Sequence, residues 1–198
     1  MIYYGFWKKV YRRTLGRLSW FCGGVKMGKK SYIDPHGDIL NGKFISLGDL
    51  SHINDHCWLQ CYTALGRPSL IIGKNTIIGR NFTALCCKSI IIGDNCMIAS
   101  FVMISDVNHS IDLCKGSYIS QGLVAKEVII GNNVWIGQNS IILSGVSIGD
   151  NCVIGAGAVV TKSIPPNSLA VGNPAKVIKE YDFFKQKWIS VKENNYDK

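Results

Sequence analysis

One period dominates this chain. Ile130, Ile136, Ile142, Ile148, Ile154 and Val160 stand six residues apart, as do Ile92, Ile98 and Ile104 before them. Written in sixes, the second half reads IGNNVW, IGQNSI, ILSGVS, IGDNCV, IGAGAV, VTKSIP. An aliphatic residue opens each unit, and Gly often follows it. Asn or Gly commonly stands third or fourth. The fifth place holds Val134, Ser140, Val146, Cys152 or Ala158. Earlier units are IGKNTI, IGRNFT, IGDNCM and IASFVM. LGDLSH, INDHCW and LQCYTA are looser and keep phase through Leu47, Ile53 and Leu59.

Six is neither the helical period nor a plain alternation. It suits a short strand with two inward residues, the first and fifth of the unit. The chain then turns at Gly and Asn, which adopt left-handed backbone angles at little cost. Three units close a triangular coil, and coils stack at a strand spacing of about 4.8 Å over a ladder of aliphatic side chains. An ordinary β-sandwich would not hold phase over six consecutive units.

The rhythm is interrupted between Ile104 and Ile130. Ile104 and Ile130 are 26 residues apart, which is not a multiple of six, so part of SDVNHSIDLCKGSYISQGLVAKE must leave the wall. A flat, self-similar wall makes a poor pocket, whereas a loop on a rigid scaffold makes a good one. The expectation is a protruding loop at about 105–127 that carries His109. A histidine can take a proton from a hydroxyl and return one to a leaving group. Asp106 and Asp112 each lie three residues from it; either could orient the imidazole, and spacing does not choose between them. Cys114, five residues away, also invites a covalent Cys–His reading.

These motifs resemble the hexapeptide-repeat family of left-handed β-helix acyltransferases, most of all the sugar O-acetyltransferases and the small acetyltransferases of surface-polysaccharide gene clusters. The resemblance spans roughly residues 33–180. It is carried by NHSID at 108–112, IGNNVWIG at 130–137 and IGAGAVVTKSIPPNSLAVGNPAKVIK at 154–179. It implies an all-β, left-handed parallel β-helix (33–178) behind a basic, aromatic N-terminal helical cap (1–32). A C-terminal helix and tail would follow (179–198). It also implies direct acetyl transfer from acetyl-CoA to a sugar hydroxyl, with His109 as general base and no metal.

By the same resemblance, Gly137, Gln138, Gly155, Ala156, Thr161 and Lys162 line the donor groove, with Lys176 and Lys179 near the nucleotide. Small residues there let the pantetheine arm approach backbone groups, and lysines attract phosphates as point charges. Asn81 and Asn108 would face the acceptor. Trp135 reads either as cleft lining or as a subunit contact. In IGRNFTALCC, Asn81 keeps one of the two asparagines of the free-sugar enzymes, while Gly79 replaces the other and Cys86 and Cys87 replace a carboxylate. That departure favours an acceptor sugar on a nucleotide, a lipid carrier or a growing chain. A serine or amino-sugar acetyltransferase and a non-catalytic scaffold of the same fold are the alternatives.

Charge and cysteines narrow the field further. The net charge is +9, and residues 1–33 hold eight bases and no acid, so the remaining chain carries +1. A basic end suggests a local partner, and no nucleic-acid module accompanies it. Phe6, Trp7, Val10, Tyr11, Leu15 and Leu18 fall at helical spacing among the bases, which fits a cap on the first coil or contact with an anionic membrane face. The eight cysteines form no CxxC pair, and Cys96 and Cys152 fall at apolar repeat positions, as expected of thiols in a reducing compartment. His36, His52 and His56 lie at least two coils from His109, too far to converge on zinc. The expected location is the cytoplasm, and the expected assembly a homotrimer.

Overall fold

The structure, a computed structural model, describes residues 10–191. Strands wind in parallel coils around a three-sided prism. The first face stacks Lys26–Met27, Ile45–Leu47, Ser69–Ile72, Ser89–Ile92, Val128–Ile130 and Ser147–Ile148. The second stacks Tyr32–Ile33, His52–Ile53, Ile77–Ile78, Met97–Ile98, Trp135–Ile136, Val153–Ile154 and Ser168–Val171. The third stacks Asp38–Leu40, Trp58–Cys61, Thr83–Cys86, Met103–Ser105, Ile141–Ile142 and Val159–Val160.

The inward ladder is the one the period describes. Ile130, Val134, Ile136, Ile142, Val146, Ile148, Cys152 and Ile154 are all buried. Ser140, at an inward fifth place, stays satisfied because its hydroxyl bonds the carbonyls of Gly137 and Gly155 at 2.8 and 2.9 Å. At the corner between the first and second faces, Asn75, Asn95, Asn133, Asn151 and Asn167 have φ between 51 and 60°. Their amides also link successive coils, at 2.9 Å from Asn75 to Asn95 and 2.8 Å from Asn133 to Asn151. Gly93 precedes one of these turns, and a Cβ there would lie 2.6 Å from the Gly131 carbonyl oxygen.

Coil length varies in one place only. From the first face to the second, and from the second to the third, equivalent inward residues are always six apart: 47, 53, 59; 72, 78, 84; 92, 98, 104; 130, 136, 142; 148, 154, 160. The return step from the third face to the first takes 13 residues (59 to 72), 8 (84 to 92), 26 (104 to 130) and 6 (142 to 148). Two corners are therefore fixed by stacking, and the third absorbs every insertion.

Both ends are covered. A π-helical turn, Arg12–Gly16, runs into an α-helix, Arg17–Cys22, that lies on the first coil. Arg17 donates to the carbonyls of Gly28 and Ser31 at 2.6 and 3.1 Å, and the Trp20 indole to that of Asp34 at 3.1 Å. Leu15, Leu18 and Phe21 point away, 44 to 65% exposed. Phe6 and Trp7 lie outside the described residues. Among those described, no helix is long and apolar enough to cross a membrane.

The C-terminal helix is not there. Lys176–Asp182 and Lys187–Ser190 form an antiparallel hairpin that extends the second face from Ser168–Val171. The segment alternates exposed Lys176, Ile178 and Glu180 with half-buried Val177, Lys179 and Tyr181, a period of two that suits a strand. A helix would have left the last coil's edge unpaired. The Asp182 carboxylate accepts from the N–H groups of Phe184 and Lys185 to close the turn, and the Tyr181 and Trp188 rings meet edge to face at 5.4 Å.

Candidate active site

The 26-residue step is a β-hairpin standing on the corner between the third and first faces. Val107–His109 pairs antiparallel with Leu123–Ala125, with His109 opposite Leu123. Its root is fixed by Asp106. That carboxylate is fully buried and accepts N–H groups from Cys87, Lys88 and Ser89 at 2.7, 2.8 and 2.7 Å. Asp106 therefore ties the hairpin to the coil below and is removed from the catalytic candidates: its lone pairs are spent on backbone, and it does not reach His109.

Asn108 and His109 are exposed on the hairpin, above an open cleft of about 720 Å³ whose walls include Asp112, Lys126 and Ser144. Among the described residues the His109 ring makes no hydrogen bond, and the residue lines the cleft. Asp112 lies in the same cleft, but its carboxylate caps the Cys114 N–H at 2.9 Å and pairs with Lys115 at 3.2 Å. Lys126 and Ser144 escaped the sequence reading. Ser144 occupies the corner one coil above the hairpin, where its hydroxyl bonds the Asp106 carbonyl at 2.7 Å, so only the stacking brings it here. Cys114 is exposed and lies outside the cleft lining.

The other candidates fall into separate places. Thr161 and Lys162 are exposed on the same corner as His109, at the end of the last full coil. Gly137, Gln138, Gly155 and Ala156 form the corner between the second and third faces, where a Cβ on Gly137 would strike the Ala156 backbone nitrogen at 2.5 Å. Asn81 is at that corner too. Its φ of 54° marks it as a turn residue. Trp135 is 49% exposed on the second face, in register with Met97 and Ile77, which are 50 and 42% exposed. Lys176 and Lys179 lie on the C-terminal hairpin. The chain thus gathers Asn108, His109 and Asp112 in a cleft, while Trp135, Gln138 and Ala156 sit on different sides of the prism. No group of three or more metal-ligating side chains occurs among the described residues.

Comparison with known proteins places the repeat. The bacterial transferase hexapeptide (six repeats) model matches residues 127–162, and the hexapeptide repeat of succinyl-transferase matches 69–106. Galactoside O-acetyltransferase of Escherichia coli (strain K12) is 39% identical over 132 residues, 65% of this chain and 63% of that protein. WbbJ of the same organism, whose name assigns it provisionally to lipopolysaccharide biosynthesis as an O-acetyl transferase, is 34% identical over 63% of this chain and 67% of its own. A galactoside acetyltransferase structure in complex with coenzyme A superposes with a TM-score of 0.59 at 26% identity, covering 92% of this chain and 90% of that one. The chain spans between 43 and 67% of the length of these and similar curated relatives.

Proposed function

The chain belongs to the hexapeptide-repeat acyltransferases, with their left-handed β-helix, and we propose that it moves an acetyl group from acetyl-CoA to a hydroxyl of a surface-polysaccharide sugar. The observation that carries this reading is His109, exposed on a paired hairpin and lining an open cleft of about 720 Å³. The coenzyme A of the galactoside acetyltransferase structure supports the choice of donor.

The chemistry needs one base. His109 takes the proton of the acceptor hydroxyl as its oxygen attacks the thioester carbonyl. The tetrahedral oxyanion that forms calls for backbone N–H groups or a side-chain donor beside the thioester carbonyl. When the C–S bond breaks, the imidazolium returns its proton to the departing thiolate. Asn108 orients the acceptor, and Asp112 favours the imidazolium by charge. Thr161 and Lys162 steady the donor from the adjoining coil.

The separation of the site residues favours a homotrimer. Trp135, Gln138 and Ala156 join the His109 cleft only if a second copy brings its second face alongside. Ile77, Met97, Phe101 and Trp135 form the exposed apolar strip such a contact requires. Phe101 also holds a φ of 62°, an unfavourable angle for an aromatic residue. The outward Leu15, Leu18 and Phe21, in a stretch of sequence rich in bases, suit contact with an anionic membrane face on the cytoplasmic side.

The test is acetyl-CoA binding by calorimetry, followed by acetyl transfer to sugar acceptors. His109→Ala should bind acetyl-CoA as wild type does and lose roughly 100- to 10,000-fold in transfer rate. Full transfer by His109→Ala, or no donor binding at millimolar concentration, would sink the reading.

A further inference from the structure

The corner that carries His109 is basic along most of its length. Apart from Leu143–Ser147, the return steps from the third face to the first each present an exposed cation: Lys43, Arg67, Lys88, Lys126 and Lys162. Among the described residues none of the five pairs with a carboxylate. The acids of this corner, Asp106, Asp112 and Glu127, all belong to the hairpin segment; the first is buried and satisfied, and the second pairs with Lys115. The other corners differ. Between the first and second faces the equivalent places alternate Lys29, Asp49, Lys74, Asp94, Asn132, Asp150. Between the second and third faces, Arg80 is matched by Asp55 at 3.5 Å.

At the N-terminal end of this edge the cations converge on a groove of about 250 Å³. Lys26, Lys43 and Arg67 surround Phe44, with the hydroxyl-bearing Ser46 and Ser69 in the lining. The Lys43 ammonium and the Arg67 guanidinium lie 5.2 and 5.9 Å from the Phe44 ring centroid, so the aromatic face holds both charges over the groove. No acid lines it. Three cations and two hydroxyls in a concave site match the oxygens of a diphosphate.

We propose that this groove binds the diphosphate of an activated-sugar acceptor, and that the basic edge guides the sugar from there to His109. The inference rests on His109 as the reacting centre. With the donor on Thr161 and Lys162, as proposed above, the C-terminal side of the hairpin is taken, and the acceptor arrives from the N-terminal side, where the groove lies. Arg67 and the hairpin are two coils apart on one edge, roughly 10 Å at strand spacing. A diphosphate with one or two attached sugar rings spans that gap. The diphosphate comes from a nucleotide or from a lipid carrier, and the recognised chemistry is the same.

Calorimetry with inorganic pyrophosphate and with UDP-glucose, and co-sedimentation with phosphatidylcholine vesicles carrying farnesyl diphosphate, test it on the full chain. Lys43→Glu and Arg67→Glu should each weaken pyrophosphate binding about ten-fold or more, the value of one charge-assisted hydrogen bond. Lys74→Glu, the same charge change on another corner, should leave it within about two-fold of wild type. Tighter binding of UDP-glucose than of pyrophosphate supports the groove with a nucleotide source; retention on the doped vesicles alone supports it with a lipid source. If no probe binds, or if Lys74→Glu weakens binding as much as Arg67→Glu, the proposal is overturned. His109→Ala separates the two readings, because it should keep pyrophosphate affinity while losing acetyl transfer. Transfer that survives in His109→Ala removes the mechanism and leaves the groove standing.

Discussion

Asp106 and Asp112 are equally spaced from His109 in sequence and opposite in situation. Spacing counts residues along a strand, whereas the fold decides which way each carboxylate turns. Asp106 meets three N–H groups of the coil below. Removing it leaves one buried and two part-buried N–H groups without partners, so Asp106→Ala should cost about 3 kcal/mol of stability; Asp112→Ala should cost little. Urea unfolding of the two variants checks this, and equal losses would contradict it. The buried thiols make a second residue-scale prediction. Burial and the Asp34 charge push Cys57 up to about 12, and burial and Asp106 push Cys87 up to about 11. An unfolded thiol ionises near 9, below either value. The stability these thiols contribute is thus full below about pH 9 and lost as pH rises toward 11 to 12. The urea midpoint should fall across that window, and less steeply in Cys57→Ala; a flat profile would argue against buried thiols.

The hairpin of residues 107–125 is an element added to a corner that closes elsewhere with far fewer residues. After Ile142, Leu143–Gly145 make the same return in a six-residue step. Replacing residues 107–125 with a short Ser-Gly turn should keep the fold, with a melting temperature within about 5 °C of wild type, while abolishing acetyl transfer. Calorimetric melting beside an activity assay reads both, and loss of the cooperative transition would mean that the hairpin is structural. The sequence announced this element because 26 residues break a count of six beyond mistake. It did not announce that the excursion pairs with itself, since VNH and LVA are too short to signal strands. The 8-residue return from Ala84 to Ile92 left no sign either, because two extra residues look like ordinary variation in a unit. At the C-terminus, aromatics and lysines suggested a helix. What decides that segment is the open edge of the last coil, which exists only once the coils are stacked.

At the scale of the whole molecule, legibility follows dimensionality. The ladder of Ile92, Ile98 and Ile104 could be read directly, because in a solenoid a sequence period is also a spatial one. Which side of the prism each site residue occupies could not. Thr161 and Lys162 share an edge with His109, and Gln138 and Ala156 do not. If copies assemble to complete the cleft, light scattering should find three chains of 21.8 kDa per particle. Trp135→Glu should dissociate them and abolish transfer, without changing the fold of each protomer. A monomeric wild type with full activity would exclude an assembled site. The same geometry has a consequence for descent. Two corners of every coil are locked at six residues by the glycine and asparagine stacks, while the third takes returns of 6, 8, 13 or 26 residues without disturbing its neighbours. Novelty can therefore accumulate along one seam of the molecule while the rest stands still, and a lineage built on this architecture can change what it recognises by lengthening a single stitch.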